Sequence, residues 1–279
     1  MSDVSNPQSL ESGRPDYPVA AVEWLVGHEP QDLLELGSGT GKLTRVLLEL
    51  GHKVTSFDPD PEMLNEQSRH LTTPMAVARA EQIPLPSRSV DMVVCAQSFD
   101  QFDQKLALPE ITRVLRPGGR LALVWNVRDL SVPWVRKLSN LIGVETHADL
   151  TDSVVDCPTF SELETAEYKH WQTHTAATLC DLVRSSSAAT LTVDELDALI
   201  SQVRDLYDSY GRGPDGLKMP YTTCVYRARV QHLQAPPMPS PEQLTEPTAH
   251  ALTPDPTTEQ TIQVPLPPED PGTVLVDFH

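Results

Sequence analysis

The residues best suited to chemistry in this 279-residue chain lie in one short run, Gly37-Ser38-Gly39-Thr40-Gly41. Three glycines so close together let backbone approach a ligand, because no Cβ stands in the way. Two familiar nucleotide loops fail on spacing. A phosphate-cradling GxxxxGK[ST] loop would need Gly at Leu36 and Ser or Thr at Leu43, and the dinucleotide loop GxGxxG would need its third glycine at Lys42. The spacing here is GxGxG. Glu35, two residues ahead of the loop, adds a charge argument. A carboxylate about 4 Å from a diphosphate costs roughly 4 kcal/mol at an effective dielectric near 20, whereas beside a cation the sign reverses. Glu35 therefore favours an adenosyl cofactor with sulfonium and ammonium groups, which is S-adenosyl-L-methionine, and can accept a hydrogen bond from its amino group. The competing reading of Glu35 is a solvated charge at a strand end.

Asp58, followed by Pro59, ends the next apolar run about 20 residues on, where an acid accepts from both hydroxyls of a ribose. That placement is shared with NAD-binding folds, so it supports adenosine without choosing a cofactor. An Asx-type turn is its structural alternative. Met63, just beyond, is either core or a contact for adenine.

These residues need a frame, and the chain supplies one. Short apolar runs alternate with amphipathic stretches, as in a mostly parallel α/β sheet. Strands are expected at residues 32–36, 53–57, 75–78, 91–96 and 120–125, then at 168–173 and 221–230. Helices are expected over 42–50, where Leu43, Val46, Leu47 and Leu50 repeat with helical spacing, and over 106–115 with Leu108, Ile111, Val114 and Leu115. Further helices fall near 132–141, 176–184 and 193–207. The Arg116-Pro117-Gly118-Gly119 run reads as a helix stop and turn ahead of the strand at 120.

Composition bounds the rest. A net charge of -18 and the lack of a basic stripe argue against a nucleic-acid partner. No apolar run is long enough to cross a bilayer, and the first 13 residues do not read as a signal peptide, which gives a soluble cytoplasmic protein as the expectation. Cys95, Cys157, Cys180 and Cys224 are widely spaced, suggesting reduced thiols rather than a disulfide framework or zinc site. The nine His residues form no metal motif. Residues 1–13 read as a flexible N-terminus and 14–232 as the folded domain, with a core at 31–128 and a helical substrate cover at about 131–210. Trp134 and Trp171 in that cover read as core by default. Residues 233–279 are Pro-rich, acidic and without hydrophobic period, the signature of a disordered tail.

Taken in order, LELGSGTGKLT, FDPD, AEQIPLP, DMVVCAQSFDQF and VLRPGG resemble the class I S-adenosylmethionine-dependent methyltransferases of the small-molecule, methyltransferase type 11-like kind. The likeness leans toward a bacterial and fungal branch related to the trans-aconitate and cantharidin methyltransferases, and runs from residue 14 to about 231. It includes an RPDYP segment, a WNVRD segment after the fifth strand and a late PYTT strand. The resemblance implies a Rossmann-like seven-stranded sheet with an antiparallel edge strand, assigned to 221–230, and helices on both faces. It also implies a cofactor across the carboxyl ends of the first, second and fourth strands. Arg14 would meet the cofactor's carboxylate, Tyr17 would act as a lid, Ala80 and Glu81 would flank adenine, and Gln97 would face the methionine moiety. Close relatives read Ser-Phe-His-Trp where this chain reads Ser98-Phe99-Asp100-Gln101, so a catalytic role would fall on Asp100, an acid too weakly basic at neutral pH to be a strong base.

Methyl transfer is an in-line displacement that needs alignment and exclusion of water rather than a metal. By analogy with the family, the expected reaction is O-methylation of a carboxylate or hydroxyl on a small-molecule acceptor. Two rivals remain. An NAD-dependent oxidoreductase would share the fold and Asp58, and a cofactor-binding protein without catalysis would fit the altered Asp100-Gln101 pair.

Overall fold

Seven strands form one sheet in the order β3-β2-β1-β4-β5-β7-β6. The computed structural model describes residues 7–143, 151–187, 191–210 and 216–231, so the acidic segment at 233–279 and residues 1–6 lie outside it. The strands are β1 Asp32–Leu36, β2 Lys53–Asp58, β3 Met75–Val77, β4 Val90–Ala96, β5 Leu115–Arg128, β6 Glu164–His174 and β7 Leu217–Arg229. The helices are α1 Pro7–Gly13, α2 Val19–Val26, α3 Lys42–Glu49, α4 Pro61–His70, α5 Gln104–Val114, α6 Pro133–Ile142, α7 Asp152–Val155, α8 Ala176–Ser187 and α9 Val193–Tyr210.

Strands β1 to β5 pair in parallel, and the helices between them cover both faces. On one face Leu33, Met92, Val94, Ala122 and Val124 pack with Leu43 and Leu47 of α3 and with α2. On the other, Leu34, Leu36, Val93, Cys95 and Leu123 pack with Ala107, Leu108, Ile111 and Val114 of α5. The helical spacing of those apolar residues thus buries one stripe of each helix on the sheet. A third core joins α6, α8 and α9 through Val135, Leu138, Leu179, Val183, Ile200 and Val203.

Four sequence expectations change. The N-terminus is ordered from Pro7: α1 lies on α8, where Ser12 Oγ donates to Asp181 Oδ2 at 2.7 Å. Contact is so close at Gly13 that a Cβ there would come within 2.3 Å of the Leu182 backbone nitrogen. The strand expected at the sheet edge is not the edge. β7 runs antiparallel to both β5 and β6 and sits between them, while β6 takes the outer position with every second residue exposed. Trp171 lies on that exposed edge at 64% accessibility, whereas Trp134 is core. The turn at Pro117 to Gly119 becomes an irregularity inside β5, with Val90 opposite Leu115 and Met92 opposite Arg120.

Candidate active site

The glycine loop leaves β1 at Leu36 and its first residue has no room for a side chain. At Gly37 φ is +69° and a Cβ would fall 2.6 Å from the Ser98 Cβ, while Ser98 Oγ donates to the Leu36 carbonyl at 2.8 Å. The amides of Gly37 and Ser38 both donate to the Phe57 carbonyl, at 2.8 and 3.2 Å, extending the link to β2. Gly39 also has positive φ, +55°, but its missing Cβ faces open space. That space is a cavity of about 410 Å³ at the carboxyl ends of β1, β2 and β4.

Two acids border it. Asp58 is 7% exposed; its Oδ2 accepts from the Gly39 amide at 2.8 Å and its Oδ1 from the Asp60 amide at 2.9 Å. Burial raises its pKa against the lowering effect of those amides. Glu35 is 1% exposed, and burial pushes its carboxyl up to about 8, opposed by a hydrogen bond from Thr44. Thr44 Oγ1 on α3 donates to Glu35 Oε2 at 2.5 Å. Gln67 Nε2 on α4 lies 3.2 Å from Thr44 Oγ1 and 2.9 Å from Ser56 Oγ, and Gln67 Oε1 accepts from Ser38 Oγ at 2.9 Å. This polar layer under the loop holds no Lys or Arg among the described residues. A desolvated acid without a cation keeps its proton until a positive charge comes beside it, and Glu35 borders the cavity. That chemistry fits a cationic ligand, and the remaining lone pairs of Asp58 fit hydroxyl donors.

Arg14 and Tyr17 also line the cavity, from the segment between α1 and α2. Gln97 Nε2 donates to Tyr17 Oη at 3.2 Å, and burial pushes the Tyr17 phenol up to about 12. Gln97 itself holds φ of +52°, a strained conformation for a residue other than glycine. Pro59, Met63, Ala80 and Glu81 also line the cavity. Glu81 is engaged on one side, since its Oε1 accepts from the Asp103 amide at 2.8 Å and Arg79 stands 3.4 Å away. Burial raises its pKa, but these partners outweigh it and hold the carboxyl below its ordinary range.

Thus Arg14, Tyr17, Glu35, Gly37, Ser38, Gly39, Asp58, Pro59, Met63, Ala80, Glu81 and Gln97 meet around one cavity. Two expected residues do not join them. Gly41, with φ of +88°, turns toward Gln67 and Leu71, whose side chains fill the position of its Cβ; it starts α3 rather than lining the cavity. Asp100 is exposed in the short 3-10 turn Phe99–Gln101 and points away, leaving Gln101 and Phe102 on the wall. Leu10, Thr40 and Lys42 are among the lining residues that sequence reasoning missed. The signal for Thr40 is its place inside the loop, and it donates to Glu11 Oε2 at 2.7 Å; α1 gave no signal strong enough to place Leu10.

Residues 34–123 match the methyltransferase domain family. An uncharacterized methyltransferase of Mycobacterium bovis is 41% identical over 233 residues, covering 79% of this chain and 92% of its own. The chain belongs to the class I S-adenosylmethionine-dependent methyltransferases. The methyltransferase is also 33% identical over 118 residues to the ubiquinone/menaquinone biosynthesis C-methyltransferase of Rubrivivax gelatinosus, a stretch of 40% of this chain and 45% of that one. Among solved structures, a candidate type II methyltransferase from Anaeromyxobacter dehalogenans has the same fold, with TM-score 0.56 at 24% identity over 77% of this chain and 97% of its own. The cofactor of the methyltransferase is S-adenosylmethionine.

Proposed function

We propose that this methyltransferase methylates an oxygen of a small molecule, a carboxylate or a hydroxyl. The observation that carries the cofactor's placement is the pairing of buried, cation-free Glu35 with a glycine, Gly39, that faces open space. In this reading Glu35 accepts from the ammonium, Asp58 with Pro59 receives the ribose, and Met63, Ala80 and Glu81 flank adenine. Arg14 meets the carboxylate, and Tyr17 and Gln97 close over the methionine end. The loop residues Gly37, Ser38 and Gly39 leave room for the backbone to approach. Bound there, the cofactor supplies an electrophilic sulfonium methyl group.

The chain's own contribution is binding, orientation and exclusion of water. Leu10, Tyr17 and Phe102 give the wall its apolar share, and the third core of α6, α8 and α9 belongs to the region we assign as substrate cover. Removing a strongly held proton from an acceptor would need a base on the wall. Asp100 is outside, the wall acids Glu35, Asp58 and Glu81 are assigned to the cofactor in this reading, and Tyr17, with its phenol near 12, is a hydrogen-bond donor at neutral pH rather than a base. A carboxylate acceptor needs no base, which favours oxygen. The Rubrivivax relative is named a C-methyltransferase, so carbon is the competing acceptor. Incubation of the protein with methyl-labelled S-adenosylmethionine and a metabolite extract, followed by the carbon chemical shift of the transferred methyl, separates the two. An oxygen-bound methyl is expected; a carbon-bound one overturns the acceptor assignment.

A further inference from the structure

The segments WNVRD and PYTT meet in the sheet. Across the β5–β7 register Asn126 stands opposite Thr223 and Arg128 opposite Tyr221. Asn126 is 1% exposed and Thr223 fully buried. Thr223 Oγ1 donates to Asn126 Oδ1 at 2.6 Å and lies 3.2 Å from His170 Nδ1 on β6. Asn126 Nδ2 in turn donates to the Asp16 carbonyl at 3.3 Å. The polarity of this row is fixed. A carbonyl cannot donate, so the amide must present its nitrogen to Asp16, and a flipped amide would set two acceptor oxygens against each other. The Asn126 oxygen then takes the one proton of Thr223, and His170 must hold its proton on Nδ1 to donate to the same hydroxyl.

Asp16 belongs to the RPDYP segment, and the residues on either side of it, Arg14 and Tyr17, line the cavity. The other holds on Asp16 are weaker by position. Its carboxylate, 71% exposed, pairs with Lys42 at 2.8 Å, and its amide reaches Gln172 Oε1 only at 3.5 Å. Exposed contacts of this kind are readily replaced by water, whereas a buried amide that loses its partner is not rehydrated.

We infer that Asn126 is a positioning residue: aligned by Thr223 and His170, it holds down the 14–18 segment so that Tyr17 and Arg14 stay over the cavity and retain the ligand. The inference rests on the cofactor reading only through the identity of that ligand. Asn126→Asp is nearly isosteric, keeps an acceptor for Thr223 and loses the donor to Asp16; Thr223→Val keeps the amide but removes its alignment. Hydrogen exchange of the full, ligand-free chain reads the segment directly, and stopped-flow release of S-adenosylhomocysteine reads retention. In both variants exchange in the peptide covering 14–20 is expected to rise about tenfold while peptides from β5 and β7 keep their protection, and release is expected to speed up by a similar factor. Should Asn126→Asp fail to fold, Thr223→Val decides. Unchanged exchange at 14–20 in a folded variant, or equal loosening of β5 and β7, overturns the inference. Faster exchange at 14–20 with no S-adenosylhomocysteine bound even by the wild type leaves this inference standing and removes the cofactor placement instead.

Discussion

Glu35 is desolvated by the fold and has no basic neighbour among the described residues, so its two protonation states report on what enters the cavity. With its pKa at about 8 in the ligand-free protein, it holds a proton near neutrality that the unfolded chain has released. The contribution of Glu35 to ligand-free stability therefore falls as pH rises from about 4.5 to about 8. Glu35→Gln keeps the acceptor for Thr44, so its melting temperature should exceed that of the wild type by a margin that grows across this window and is constant above it. An equal margin at pH 5 and pH 9 would contradict the burial argument. Gly39 offers a second residue-scale test because Gly51 has similar positive φ, +87° against +55°, and open space as well, away from the cavity. Alanine at either site carries the same kind of backbone strain, about 1–2 kcal/mol, so both melting temperatures should fall by a few degrees. Only Gly39→Ala should weaken S-adenosylmethionine binding, by tenfold or more in a titration; equal weakening in both would place the ligand elsewhere.

At the scale of elements, the parallel half of the sheet was legible because its strands are short apolar runs and its helices carry single apolar stripes, as α3 does with Leu43 and Leu47. In the antiparallel half the two strands were legible at 168–173 and 221–230, but their order in the sheet was not. β6 alternates half-buried and exposed residues, and nothing in its own composition says whether such a strand lies at the edge or one place in. Its last residue, His174, is fully buried and contacts the Tyr221 ring at 6.5 Å. Burial lowers its pKa to about 4. A histidine with a depressed folded pKa contributes stability that is intact above about 6.5 and is lost as pH falls toward 4. Urea unfolding of His174→Gln should therefore show a shallower loss of stability than wild type between pH 6.5 and 4, and parallel curves would show that this histidine stays neutral in both states. Helix α1 was missed for another physical reason. Seven residues cannot sustain a helix alone, and what orders it is docking on α8 through Gly13, together with Glu11, which accepts from Thr40 and Arg45.

Over the whole molecule, most of the residues that gather around the cavity could be picked out because charge and glycine spacing lie close together in sequence. Gly41 was one exception, since it starts α3, and Asp100 was the other. Its neighbours Phe99 and Phe102 turn inward and edge against each other at 6.0 Å, which leaves Asp100 facing solvent, and no local pattern encodes that turn. The chain carries a net charge of -18, and residues 233–279 contribute acids but no Lys or Arg. Removing them should leave the melting temperature of the remaining domain nearly unchanged, since a Pro-rich segment without hydrophobic period offers little surface to bury. A fall of many degrees in a thermal scan would show that the segment is part of the folded unit.

The cavity's charge is the centre of this account, and isothermal titration of the full chain at pH 7 in buffers of different ionisation enthalpy tests it most directly. S-adenosylmethionine should bind with release of close to one proton as Glu35 ionises beside the incoming cation, and NAD should give no binding heat. Binding of NAD in preference to S-adenosylmethionine, or binding of S-adenosylmethionine without proton release, would contradict it.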